Sequence, residues 1–177
     1  MPEPTSADQF CRDEAVLPAP PERVWDALTD LASWQQWWNL VTVIPEGPTR
    51  LAPGVRFQLG GQRPGRPFTG WTVEVLELDP PHRIELGYVD GDLIGRTAWE
   101  LEAVDGGTRA AYVYRGVHAM SEGSAATFER YGTRLHSVAM QVDALAGLAR
   151  YLQGQPLDDE WRAQVHARMD AGVAALA

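Results

Sequence analysis

The chain has 177 residues with 24 acidic against 15 basic side chains and a formal charge of -9, a size that fits one ordinary domain with a sizeable core and room for a ligand space. This acidic balance repels a phosphate backbone, and the basic residues, all arginine, are spread without a cluster. Nucleic acid and anionic membrane are therefore excluded as partners.

Residues 1–8 are polar and proline-bearing and read as a flexible N-terminus, without the basic-then-apolar pattern of a signal peptide. No apolar run approaches the roughly 20 residues of a membrane helix, so membrane insertion is not expected and the chain reads as cytoplasmic. A first strand spans about Phe10 to Leu17. Its Cys11 is the single cysteine, which leaves no internal disulfide and no thiol-based metal cluster, and it reads as a small packing residue. Pro21 suits the first turn of a helix, and Val24, Ala27, Leu28 and Leu31 follow at helical spacing. A second short helix carries Trp34, Trp37 and Trp38, read as packing residues.

Turn signals at Glu46-Gly-Pro, Arg63-Pro-Gly-Arg-Pro, Asp79-Pro-Pro, Asp90-Gly and Asp105-Gly-Gly then punctuate a run of strands. The strands lie near Val41 to Pro45, Val55 to Gly61, Phe68 to Leu78, Arg83 to Val89, Leu93 to Val104 and Thr108 to His118. With the first strand they make an antiparallel meander of seven. From about Ser124 to Leu152 the period turns helical. Phe128, Tyr131, Leu135, Val138, Ala139, Val142, Leu145, Ala146, Ala149 and Leu152 share one stripe at about 100° per residue, predicting one long amphipathic helix. On that wheel His136 falls off the stripe, toward solvent, while Gly132 removes side-chain volume within it. A last helix is predicted from about Asp159 to Leu176, opened by Asp158-Asp-Glu at its positive end. Leu157, Trp161, Val165, Met169 and Leu176 fall near one side of it. That stripe must dock, either on its own domain or against a second chain as a homodimer.

The segments Ala19-Pro-Pro-Glu-Arg-Val-Trp25 and Asp30-Leu-Ala-Ser-Trp-Gln-Gln-Trp-Trp-Asn-Leu-Val41 resemble the polyketide cyclase/dehydrase and lipid-transport superfamily, the START-related, Bet v 1-like (SRPBCC) proteins. The likeness continues through Pro53-Gly-Val-Arg-Phe57, Glu77-Leu-Asp-Pro-Pro-His-Arg83 and Gly107-Thr-Arg109, and it spans about four fifths of the chain. It implies an α+β helix-grip fold in which a curved seven-stranded antiparallel sheet wraps a long C-terminal helix, with two short helices after the first strand. The domain then covers residues 9–154, and residues 155–177 form an additional amphipathic helix. Such proteins hold their ligands between sheet and helix. The superfamily's motifs are architectural, and its members include carriers, cyclases, aromatases, dehydratases and chaperone activators, so the resemblance does not choose a reaction.

Strand faces follow from the last hairpin. An even-length loop at Asp105-Gly-Gly sets Thr97, Trp99 and Leu101 beside Ala110, Tyr112 and Tyr114, facing inward, and sends Arg96, Glu100, Arg109 and Arg115 outward. The same alternation gathers Trp71, Val73 and Val75, then Ile84, Leu86 and Tyr88, then Phe57 and Leu59. The candidate ligand-binding set is Phe57, Trp71, Tyr88, Thr97, Trp99, Tyr112, Tyr114, Phe128 and Tyr131. Phenols that pack by their rings and donate by their hydroxyls suit a small or medium apolar molecule of aromatic or polyketide-like type, held in an enclosed cavity between sheet and long helix.

No His-x-x-x-His or His-Glu-x-x-His spacing is present, so no metal or other cofactor is predicted. His118, on the parity of Tyr114, is the best histidine for acid–base work. An aromatase-like reaction would use a fixed cation, for which Arg56, Arg66 and Arg83 near the openings are candidates. Binding or carriage of an apolar molecule stands first, a cofactor-free cyclase, aromatase or dehydratase second, and a chaperone-activator-like interaction module third.

Overall fold

The computed structural model describes residues 9–61, 69–155 and 157–176. The expected flexible N-terminus at 1–8, the turn at Arg63-Pro-Gly-Arg-Pro with Arg66, and Phe68 at the head of its strand lie outside the described residues. Strand β1 (Gln9–Leu17) leads into helices α1 (Pro21–Thr29) and α2 (Leu31–Trp34). Strands β2 (Thr42–Pro45), β3 (Arg56–Gly61), β4 (Thr69–Asp79), β5 (Arg83–Gly91), β6 (Leu93–Val104) and β7 (Gly107–Ala119) follow. They form one antiparallel sheet in the order β1-β7-β6-β5-β4-β3-β2. This is the α+β helix-grip arrangement that the resemblance implies. No helix among the described residues is long and apolar enough to cross a membrane.

The β6–β7 hairpin turns through Asp105 and Gly106, with Val104 paired to Gly107, so its loop is even as expected. Thr97 therefore pairs with Tyr114, Trp99 with Tyr112 and Leu101 with Ala110, all buried on the concave face. The opposite face carries a lattice of charges. Glu100 accepts from Arg12, Arg83 and Arg115, and Glu85 accepts from Arg83 and Arg96. Burial works against charge on Glu100, but its three arginines outweigh it and hold the carboxyl below the usual range.

Beyond Tyr114 the register shifts. Ile94 pairs with His118 but Arg96 pairs with Arg115, and Gly116 sits in the bulge at φ 57°. This reverses the parity of the strand end, so Val117 and Ala119 take the buried positions. His118 accordingly pairs with the exposed Ile94 rather than sharing the face of Tyr114, which corrects the acid–base expectation.

The predicted single long helix is broken. Helix α3 (Glu122–Tyr131) ends at Gly132, whose φ of 59° favours glycine and closes the helix with an N–H to the Phe128 carbonyl. Thus Gly132 acts first through its backbone, although a Cβ there would meet nothing within 4 Å. The chain resumes as α4 (Arg134–Ala139), widens through a π turn (Met140–Ala144) and ends as α5 (Leu145–Leu152). A π turn adds a residue to one turn and so shifts the wheel by about 100°. The inward row becomes His136, Met140, Ala144, Leu148 and Leu152 at spacing four, and the side chain of His136 is only 18% exposed. The expectation of a solvent-facing His136 fails because its wheel was counted through an unbroken helix.

Two contacts clamp this helix to the tryptophan segment. Gly147 lies so close to Trp37 that a Cβ would stand 1.9 Å from its carbonyl oxygen. Buried Asp143 accepts the backbone N–H groups of Asn39 at 3.0 Å and Leu40 at 2.6 Å. Trp34, Trp37 and Trp38 are all buried, with Trp37 and Trp38 stacked at 5.5 Å. Helix α6 (Asp159–Ala174) is capped by Asp158, which accepts the Trp161 N–H at 2.8 Å. Within the single chain Trp161 and Val165 are buried, Arg150 covers the Trp161 ring at 4.5 Å, and Gly172 abuts Val138. Leu157, Met169 and Leu176 are only half-buried.

Candidate functional site

The concave face is built by alternation. Every second residue of a strand points to the same side, so the inward rows of β5, β6 and β7 bring Tyr88, Thr97, Trp99, Tyr112 and Tyr114 onto one wall. Their rings meet edge to face or tilted: Trp99 and Tyr112 at 4.9 Å, Tyr88 and Tyr114 at 6.0 Å, Trp71 and Tyr88 at 5.4 Å. The wall continues into the tryptophans, with Trp37 6.5 Å from Trp99 and Trp38 6.5 Å from Tyr112. Phe57 belongs to the far side of this core, against Trp34. Phe57 and Trp99 are completely buried, whereas Trp71 and Phe128 are partly buried at the margin of the core. Tyr131 is half-buried beneath the guanidinium of Arg130, 5.0 Å from its ring centroid, and is not one of the core aromatics.

The hydroxyls on the wall are linked. Tyr88 and Tyr112 share a hydrogen bond of 2.6 Å, and the Tyr112 hydroxyl donates to Thr97 Oγ1 at 3.1 Å. Burial pushes all three tyrosines well above the ordinary phenol range, which keeps them neutral donors. The Trp71 indole nitrogen is buried beside them, near the Tyr88 hydroxyl but without an aligned hydrogen bond.

Above this wall sits a group that sequence spacing did not reveal. Cys11 and Asp13 are two residues apart on β1 and share its inward face, and α4 lays His136 over them. His136 Nδ1 is 3.3 Å from Asp13 Oδ2 and 3.5 Å from Cys11 Sγ. The imidazole also lies 4.2 Å from the Tyr114 ring and 5.6 Å from that of Tyr112. Asp13 is 5% exposed, and its Oδ2 makes no hydrogen bond of good geometry. Burial first, and then the Asp13 carboxylate, push the Cys11 thiol up to about 12, so it is protonated at neutral pH. A sequence signal for this group did exist: Asp13 is a charged residue on the parity of Cys11, Ala15 and Leu17, the apolar face of its strand.

The arginine candidates separate from this wall. Arg56 pairs with Glu74, and Arg83 with Glu85 and Glu100, all on the outer face of the sheet. Cross-strand register explains it, because Arg56 opposes Glu74 while its neighbour Phe57 opposes Val73 inside.

A model of the family described as "Activator of Hsp90 ATPase homolog 1-like protein" matches residues 18–142. No curated protein matches the chain. Among solved structures, TTHA0849 from Thermus thermophilus is similar at 20% identity with a TM-score of 0.67, covering 82% of this chain and 97% of that one. CalU16 from Micromonospora echinospora is similar at 21% identity with a TM-score of 0.53, covering 94% of this chain and 86% of its own. DynU16, a protein in the dynemicin biosynthetic locus, aligns at 20% identity and a TM-score of 0.53 over 85% of this chain and 49% of its own. Matched over well over half its length, the chain belongs to the Activator of Hsp90 ATPase homolog 1-like family of the SRPBCC superfamily.

Proposed function

We propose that the protein binds a small or medium apolar molecule of aromatic or polyketide-like character between the concave face of the sheet and helices α3 and α4. The supporting observation is the wall of Tyr88, Tyr112, Tyr114 and Trp71, whose rings offer apolar surface while the indole N–H of Trp71, beside the Tyr88 hydroxyl, makes no aligned hydrogen bond. A buried donor left unpaired costs about 1–3 kcal/mol, which a ligand oxygen would recover. Phe128, partly buried against the core at the α3 end, forms the rim of this site and Trp99 its floor, while Phe57, against Trp34, and Tyr131, under Arg130, stand apart from it. DynU16, similar in fold, is described as a protein in the dynemicin biosynthetic locus, which favours a biosynthetic small molecule as ligand.

A second reading is cofactor-free cyclisation or dehydration of such a molecule. It is favoured by His136 on the phenol wall with Asp13 at 3.3 Å, an imidazole held beside hydroxyl donors that would polarise a carbonyl.

Native mass spectrometry of the purified protein tests the binding reading directly, followed by tryptophan-fluorescence titration with a polycyclic phenol. Retention of a small molecule and a saturable response that Trp71→Phe weakens are expected. A protein that carries nothing and does not respond to aromatic probes refutes it. Turnover of a poly-ketone probe, abolished in His136→Gln, would select the second reading.

A further inference from the structure

Cys11, Asp13 and His136 each offer one ligand atom, and the three atoms lie within 4.8 Å of one another. From this cluster we infer a metal site in which Cys11 Sγ, Asp13 Oδ2 and His136 Nδ1 hold one divalent cation, with Zn2+ the best match. The donor set excludes Ca2+ and Mg2+, which take oxygen ligands, and mixed thiolate, imidazole and carboxylate ligation is that of Zn2+.

Two separations carry the assignment. A tetrahedral Zn2+ with Zn–N and Zn–O bonds near 2.05 Å spaces its nitrogen and oxygen by about 3.3 Å, and a Zn–S bond near 2.3 Å spaces sulfur and nitrogen by about 3.6 Å. The observed values are 3.3 Å from His136 Nδ1 to Asp13 Oδ2 and 3.5 Å from Nδ1 to Cys11 Sγ. An independent observation points to a ligand at the same place. Asp13 has a side chain only 6% exposed, yet its Oδ2 makes no aligned hydrogen bond even with Nδ1 at 3.3 Å. Oxygen and nitrogen thus sit at coordination spacing in a contact that lacks aligned hydrogen-bond geometry.

Binding replaces the Cys11 S–H bond by an S–metal bond and releases one proton to solvent, the cation supplying the charge that keeps the thiolate. Three protein ligands leave one tetrahedral position for water or for an oxygen of a bound molecule, the open pattern of catalytic rather than structural zinc. Ligation through Nδ1 leaves Nε2 of His136 available for a proton.

The test is a Co2+ titration of tag-free protein after chelator treatment. The expected result is saturation at one ion per chain, with tetrahedral d–d bands and a thiolate-to-cobalt charge-transfer band that stoichiometric Zn2+ bleaches. Cys11→Ser, which is nearly isosteric, should lose the charge-transfer band, and Asp13→Asn or His136→Gln should weaken binding by more than about tenfold, the loss typical of even outer-shell partners. Circular dichroism checks that each variant is folded, and if one is not, wild type and Cys11→Ser decide. Absence of a tetrahedral spectrum at millimolar Co2+, or a spectrum unchanged in Cys11→Ser or His136→Gln, overturns the site. The readout contains no organic ligand, so its failure leaves the apolar-ligand reading standing.

Discussion

Replacing Asp143 by alanine should show how the long helix is tied to the tryptophan segment. Both carboxylate oxygens of Asp143 are engaged, one by the Asn39 N–H at 3.0 Å and one by the Leu40 N–H at 2.6 Å, and the residue itself is 0% exposed. Hydrogen bonds to a charged acceptor contribute about 1.5–3 kcal/mol each. Asn39 and Leu40 are only half-buried, so water recovers part of the loss, and removing a desolvated charge offsets a further part. The net expectation is a destabilisation of about 2–3 kcal/mol, or a fall in Tm of roughly 4–12 °C for a chain of this size. Thermal unfolding followed by near-ultraviolet circular dichroism at pH 7.5 measures it. Amide hydrogen exchange at Asn39 and Leu40 should rise at the same time. A Tm within about 1 °C of wild type, with those two amides still protected, would refute the claim that Asp143 clasps the segment.

Three further outcomes are expected. Burial pushes the Asp143 carboxyl up to about 6, against the restraining Leu40 and Asn39 N–H groups, and above its unfolded value of 3.8. The folded chain therefore binds more protons between those values, so the proton-linked increment of stability, separate from the two N–H bonds that remain at pH 7.5, is full below the unfolded pKa and is lost as pH rises through about 6. Carbon-detected NMR titration should place its midpoint near that value, and an ordinary aspartate midpoint would contradict the burial argument. In Gly147→Ala the new Cβ would fall 1.9 Å from the Trp37 carbonyl oxygen, so a change that usually stabilises a helix by about 1 kcal/mol should here lower Tm. A raised Tm would show that the helix retreats freely. Deleting the chain after Gln155 removes the buried Trp161 and Val165, and should leave a folded but less soluble protein whose Tm is lower by several degrees. Complete unfolding would make α6 part of the core, and unchanged solubility and Tm would mean that its docking contributes nothing.

Much of the architecture is written in local patterns. Strand alternation and the two-residue turn at Asp105-Gly106 were enough to place Thr97, Trp99, Tyr112 and Tyr114 on one inward face, because a period of two leaves one register once the loop parity is known. The order of meander and then helix follows from the same patterns, while the helix-grip arrangement itself was implied by the family resemblance. What the sequence could not determine lies where the regular period is interrupted. A bulge at Gly116 turns His118 off the face of Tyr114, and the break at Gly132 with the π turn at Met140–Ala144 turns His136 onto it. One extra residue in a strand or a turn reverses or rotates every assignment beyond it, and nothing in the local composition states its position in advance. The Cys11–Asp13–His136 group depends on the helix break and on a chain separation of 125 residues, so only the tertiary structure brings it together. Spacing motifs detect ligands that one element presents, whereas here a strand supplies two and a helix from the other end of the domain supplies the third.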